Sequence, residues 1–387
     1  MTPHFLSKRR MKKKQKQTLT TLPLELIREI LLRLPVKSVL RFKCVCKSFL
    51  SLISDPEFVI SHYVLAASPT HRIILRSNDF YAQSIATESV FKTRSRDMVC
   101  FPLPLPSIPC LRLDDFRIRP KILGSCRGLV LLYYNDSANL ILWNPSIDRH
   151  KRLPNYREDI TLFPYGFGYD ASKDEYLLVL IGLPKFGPET KADIFSFKTE
   201  SWKIHTIVND PLVRYKVEDR IVRAGSLLNG ALHWFVFSEG KEDNVIIAFD
   251  LIERTLSEIP LYDRCTVQKD AVYGLRIMGG CLSVCCSVPG CEMTEIWVMK
   301  EYKVRSSWTK VFVIHTSNRI SPICTIKDGE IFGSNCAGTG RLEKRNDKGE
   351  LLEHFMDSKG QRFSCANLQS AMYTESLLPL PTSFWET

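Results

Sequence analysis

Residues 22–63 read LPLELIREILLRLPVKSVLRFKCVCKSFLSLISDPEFVISHY. The pattern is a string of short helices. Ile27, Ile30, Leu31 and Leu34 stand at i, i+3, i+4 and i+7, one helical stripe. Thr20 or Thr21 is placed to cap the first helix, and Pro23 suits its first turn, where a missing N–H has no partner to lose. Glu25 and Glu29 come early, where negative charge favours the helix dipole. Pro35 then stops the helix, because the residue before a proline is driven out of the α region. Ser54-Asp55-Pro56-Glu57 makes a second break, with Ser54 or Asp55 available as a cap for Glu57–Tyr63. Leu22, Leu26, Val36, Val39, Leu40, Phe42, Val45, Phe49, Leu50, Leu52 and Ile53 add more apolar surface. A unit of roughly 40 residues buries too small a fraction of its area to hide it all. The surplus calls for a partner.

Leu22-Pro23, Glu25, Ile30-Leu31, Leu34-Pro35, Leu40 and Val45-Cys46-Lys47 stand at the spacing of the F-box, and the segment resembles that family. The resemblance implies a helical module that binds a Skp-type adaptor and, through it, a cullin-based ubiquitin ligase. The implied contacts are Leu22, Pro23, Ile27, Ile30, Leu31, Leu34, Pro35, Leu40, Val45, Cys46 and Phe49. Phe49 departs from the family, which usually has Trp there. Phe keeps an aromatic anchor and loses the indole N–H.

The chain has 387 residues, 44% hydrophobic and 25% charged, which is globular and too long for one ordinary core. No apolar run of about 18 residues occurs, so no membrane span is expected. The basic N-terminal segment has no apolar core or small-residue cleavage site and is not read as a secretory signal. The 13 cysteines are scattered, many within apolar runs, as expected of reduced thiols in a nuclear or cytosolic protein. Cys281, Cys285, Cys286 and Cys291 match no zinc spacing, so no metal is expected. The net charge is +11, of which Lys8, Arg9, Arg10, Lys12, Lys13, Lys14 and Lys16 supply seven units. Such a run reads as a solvated tail or a nuclear-import signal. Nucleic-acid recognition is the weaker reading, since no aromatic residues are interleaved to stack on bases.

From about residue 70 short β-type runs take over, divided by Gly, Asn, Asp and Pro. Residues 123–154 and 225–260 share one order. A Gly-containing hairpin leads to an apolar strand, Leu140–Trp143 or Val245–Phe249. A polar turn follows, and the unit closes on Leu-Pro or Ile-Pro. Ala192–Phe197, Thr294–Met299 and Arg341–Lys344 head further copies. Trp143, Phe195, Phe249, Trp297 and Lys344 are then equivalent, at steps near 50 residues, the repeat of a kelch-like propeller blade. A degenerate first copy over Arg72–Pro104 brings the number to about six. A late strand within Ala366–Leu378 could pair into the first blade and protect its edge. A large β-sandwich is the alternative, although it requires no such repeat.

GSCRGLVLL, LWNP, GFGYD, GSLLNGALHW, IIAFDL and EIWVMKEY, spread over residues 120–355, resemble the recurring phrases of the F-box-associated domain of plant proteins. The expected layout is therefore a basic tail (1–19), an F-box (20–64) and a β domain (65–387).

Little in the chain suggests catalysis. Eight histidines form no recognisable motif, and His233 lies on an apolar strand as a satisfied core residue. GFGYD lacks the strand-to-helix setting of a phosphate loop, so its glycines read as a tight turn. Trp143, Trp202, Trp234, Trp297 and Trp308 read as blade core. No catalytic residue, cofactor or membrane partner is assigned. The function implied is substrate recognition for an SCF-type (Skp–cullin–F-box) ubiquitin ligase, in the nucleus or cytoplasm. The β domain would present an unknown target protein, with loops Leu183–Lys191 and Phe237–Asn244 as candidate contacts. The alternatives are a ligase-independent regulator that binds the adaptor, and a basic nucleic-acid-binding propeller.

Overall fold

The computed structural model describes residues 22–65, 70–76, 81–90, 98–104, 120–134, 139–153, 163–182, 189–208, 215–216, 223–262, 272–287, 293–315, 320–325, 329–335, 342–346, 348–355 and 370–381. Thr20, Thr21, the basic tail, Cys291 and residues 183–188 and 366–369 lie outside them. The chain forms two compact units, divided between residues 67 and 68.

The first unit holds four helices, α1 (Leu24–Leu32), α2 (Val36–Phe42), α3 (Lys47–Ser54) and α4 (Pro56–Leu65). Two prolines act differently from expectation. Pro23 precedes α1 as its N-cap instead of sitting in the first turn, and its carbonyl accepts from Ile27 N–H. Pro35 opens α2 as well as ending the chain's first helical run, its carbonyl accepting from Ser38 and Val39. Asp55 caps α4 as expected, with Oδ1 accepting from the N–H groups of Glu57 (2.8 Å) and Phe58 (3.1 Å). Leu31, Leu32, Val36, Val39, Ile53 and Phe58 fill the core. Buried His62 ties α4 to the turn between α1 and α2 through Nε2, 2.9 Å from the Leu34 carbonyl oxygen.

The second unit is a six-blade β-propeller, which rules out the sandwich. The first blade has β1 (His71–Arg76), β2 (Tyr81–Ala86) and β3 (Met98–Pro102), with a short helix α5 (Thr87–Val90) after β2. The second has β4 (Pro120–Cys126), β5 (Leu129–Tyr134), β6 (Asn139–Asn144) and β7 (Arg149–Leu153). The third has β8 (Tyr165–Asp170), β9 (Glu175–Gly182), β10 (Glu189–Ser196) and β11 (Ser201–Val208). The fourth has β12 (Tyr215–Lys216), β13 (Ser226–Leu228), β14 (Ala231–Ser238), β15 (Asp243–Asp250) and β16 (Leu256–Ile259). The fifth has β17 (Val272–Met278), β18 (Cys281–Ser287), β19 (Met293–Met299) and β20 (Trp308–His315). The sixth has β21 (Ile320–Thr325), β22 (Ile331–Asn335), β23 (Leu342–Arg345) and β24 (Leu351–Phe355). The last strand, β25 (Ser370–Thr374), pairs antiparallel with β1 and becomes the innermost strand of the first blade. The strand expected to close the ring does so.

The residues taken as repeat equivalents, Trp143, Phe195, Phe249, Trp297 and Lys344, all fall on the third strand of their blades. Side chains alternate across each strand and fill the space to either side. Leu178 packs between the second and third blades, and its neighbour Val179 packs between the third and fourth. Similar apolar layers separate every other pair of adjacent blades, which is why the central strands read as unbroken apolar runs.

The polar residue closing a third strand often folds the turn that follows. Asn144 Oδ1 accepts from Ser146 N–H (2.9 Å), and Asp250 Oδ1 accepts from Ile252 (2.8 Å) and Glu253 (2.9 Å). GFGYD forms most of β8 and not a turn. Its glycines are required by packing. A Cβ on Gly166 would lie 2.8 Å from Leu232 Cδ1, and one on Gly168 would lie 2.5 Å from Leu251 Cδ1. Trp143, Trp234 and Trp308 are buried, whereas Trp202 and Trp297 are half-buried and packed against the cores.

Candidate functional site

The helical unit leaves many of its apolar side chains exposed. Leu26 and Ile30 stand one turn apart on α1 and are about half exposed, at 50% and 51%. Leu22 lies just before the helix at 56%, Val45 between α2 and α3 at 64%, and Leu50 on α3 at 48%. Isolated exposed apolar residues are ordinary on a protein surface, but this many within one small unit are a surplus. Phe49 is half-buried, with its ring edge-on to Phe42 at 6.0 Å. The Phe49 ring is thus packed against a second ring.

The residues singled out from the sequence divide into three groups. Leu22, Pro23, Ile30, Pro35, Val45 and Cys46 are exposed, and Ile27, Leu34, Leu40 and Phe49 are half-buried. Leu31, at 2% exposure, lies in the unit's own core. Leu24, Leu26 and Leu50 are exposed and were missing from the set. The motif spacing gives no reason to choose them, because their exposure depends on how the four helices pack.

The propeller has two unlike ends. First-to-second and third-to-fourth strand connections include tight turns such as Arg127-Gly128, Asn229-Gly230 and Gly279-Gly280, all with positive φ. Second-to-third strand connections and the links between blades leave from the other end. Of the two loops expected as contacts, residues 183–188 lie outside the described residues and Glu189–Lys191 belong to β10, while Phe237–Ser238 and Asp243–Asn244 belong to β14 and β15 and leave residues 239–242 as a second-to-third strand turn at this end. That turn is exposed, and its Lys241 pairs with Glu258.

Several titratable groups of the blades are buried by packing. His233 is fully buried, with Nδ1 3.0 Å from the Ser226 carbonyl oxygen and Nε2 2.8 Å from Tyr302 Oη. Burial, aided by the charge of Lys303, lowers its pKa to about 4. Burial likewise pushes the Cys126 and Cys324 thiols up to about 12 and Cys286 to about 11. Among the described residues no three His, Cys, Asp or Glu side chains are grouped to hold a metal ion.

Residues 19–61 match the F-box domain, and residues 72–336 match the F-box associated beta propeller domain. The structure carries the ring beyond that match, through β23, β24 and β25. The F-box/kelch-repeat protein At3g23880 of Arabidopsis thaliana is 31% identical over 76% of this chain and 79% of its own length. F-box protein CPR1 of the same plant is 28% identical over 76% of this chain and 73% of its own. The chain belongs to the plant F-box proteins that carry a C-terminal F-box-associated β-propeller domain. Its F-box implies binding of a Skp-type adaptor, and the pairing with a propeller gives it the substrate-recognition role of such proteins.

Proposed function

We propose that this protein is the non-catalytic receptor of an SCF-type ubiquitin ligase. The F-box docks on the Skp-type adaptor through Leu22, Ile30, Val45 and their exposed neighbours, and a cullin joins through the adaptor. The propeller holds a target protein at the end from which its second-to-third strand loops emerge. The receptor itself performs no chemistry. It raises the effective concentration of the target beside a ubiquitin-loaded enzyme. The basic run Lys8–Lys16 is proposed to direct the protein to the nucleus, where it would act as well as in the cytoplasm. The observation that carries the reading is the exposed apolar surface around Ile30 and Val45, which has no covering within its own unit.

Reconstitution tests it. The full chain is mixed with a plant Skp-type adaptor, a cullin and its RING subunit, and the mixture is run on gel filtration. Co-elution of all four supports the ligase reading. Adaptor binding without recruitment of the cullin would favour the ligase-independent regulator instead.

A further inference from the structure

Residues Glu375–Pro381, which follow β25, continue over the second blade. The buried Asn144 amide donates to the carbonyl oxygens of Ser376 (3.1 Å) and Leu378 (2.9 Å). Ser376 N–H donates to Ser146 Oγ at 3.1 Å, and Leu378 N–H to Ser376 Oγ at 2.9 Å. Leu377 and Leu378 are buried. Glu375 is held from the first blade, where its carboxylate meets Arg72 and its N–H donates to the Thr70 carbonyl (2.9 Å). Side chains of two blades thus read one short segment, as a receptor reads a bound peptide.

The tether of β25 is also unlike that of the other inner strands. β4, β13 and β17 are each joined to the next strand of their blade by a two-residue turn. β25 meets β1 only through hydrogen bonds and packing. Releasing it breaks non-covalent contacts alone and returns the conformational freedom of the segment.

We infer that the seam lined by β1, Asn144 and Ser146 is a peptide-binding groove whose ligand is the chain's own segment Ser370–Pro381. The segment leaves the groove as a unit while the second to sixth blades stay folded. Its release uncovers the apolar layer between the first and second blades, to which Ile74 and Tyr373 belong. The strap is a latch on the ring.

Hydrogen exchange on the full-length protein, read by mass spectrometry, tests the inference. Amides of residues 371–378 should exchange together, at least about tenfold faster than those of Leu129–Tyr134 and Ile246–Phe249. Asn144→Ala should speed the segment by about another tenfold and leave the two reference strands at the wild-type rate. Ser146→Ala removes one acceptor and gives the same comparison if the first variant folds poorly. Exchange of 371–378 at the rate of the reference strands in the wild type would overturn the inference. So would a segment whose rate neither variant changes.

Discussion

Arg72 Nη1 lies 3.4 Å from Glu375 Oε1, and both side chains are all but removed from solvent. The pair joins the first strand of the propeller to the residue after its last strand. Arg72 also donates from Nε to Ser84 Oγ (2.7 Å) and from Nη2 to the Ser84 carbonyl (2.9 Å), and Ser84 Oγ meets Tyr373 Oη at 2.9 Å. One guanidinium therefore binds three strands of the first blade together.

Removing one member of such a pair leaves a buried charge without its partner, which typically costs about 3–5 kcal/mol. Arg72→Met is expected to lower stability by that order, whereas Arg72→Met with Glu375→Leu should lose less, because no lone charge remains. Urea unfolding of the wild type, both single variants and the double variant measures the coupling. Equal losses in all three variants would show the carboxylate is not what makes the single change costly.

Gly128 bears on the same seam from the second blade. It holds φ at +83°, and a Cβ there would stand 2.3 Å from Ser376 Cβ. Gly230 has a similar φ of +74° with open space around it. Gly230→Ala should cost only the backbone strain of a left-handed residue, about 1–3 kcal/mol. Gly128→Ala should cost that and displace the strap besides. Comparison of their thermal midpoints isolates the clash, and Gly128→Ala is expected to be clearly the lower.

His233 makes the propeller sensitive to mild acid. Its folded pKa of about 4 lies below the value near 6.5 of an unfolded histidine. The unfolded chain thus gains a proton as the pH falls through 6.5, while the native protein resists protonation until about 4. Stability is lost across that window, by about 2 kcal/mol between pH 8 and pH 5 from this group. His233→Gln keeps polar atoms for Ser226 and Tyr302 and has no such titration. Its urea midpoint should fall less than that of the wild type over the same range.

Much of this architecture is legible in the sequence, and the failures share a cause. The third strands announce themselves because Trp143, Phe195, Phe249 and Trp297 recur in similar local settings, and their period needs no knowledge of distant contacts. Asp55 reads as a cap for a similarly local reason. GFGYD misleads because glycine serves both turns and close packing, and only the positions of Leu232 and Leu251 distinguish the two. Asn144 reads as a turn former, and so it is, but its amide also holds Ser376 and Leu378 from the far end of the chain. Leu31 carries the F-box spacing, yet helix packing turns it inward and leaves Leu26 outside.

The exposed apolar side chains of the helical unit are proposed to form the docking face for the adaptor. Ile30 and Val45 suit the test because both are at least half exposed, so their replacement leaves the core of the unit intact. Leu34 is less suitable, since its side chain is half-buried in the unit. Calorimetric titration of a plant Skp-type adaptor into the full chain and into Ile30→Asp/Val45→Asp is the direct measurement. Saturable one-to-one binding by the wild type is expected, with a loss of at least about a hundredfold in the variant and unchanged circular dichroism. Equal affinity in a folded variant would contradict the proposal.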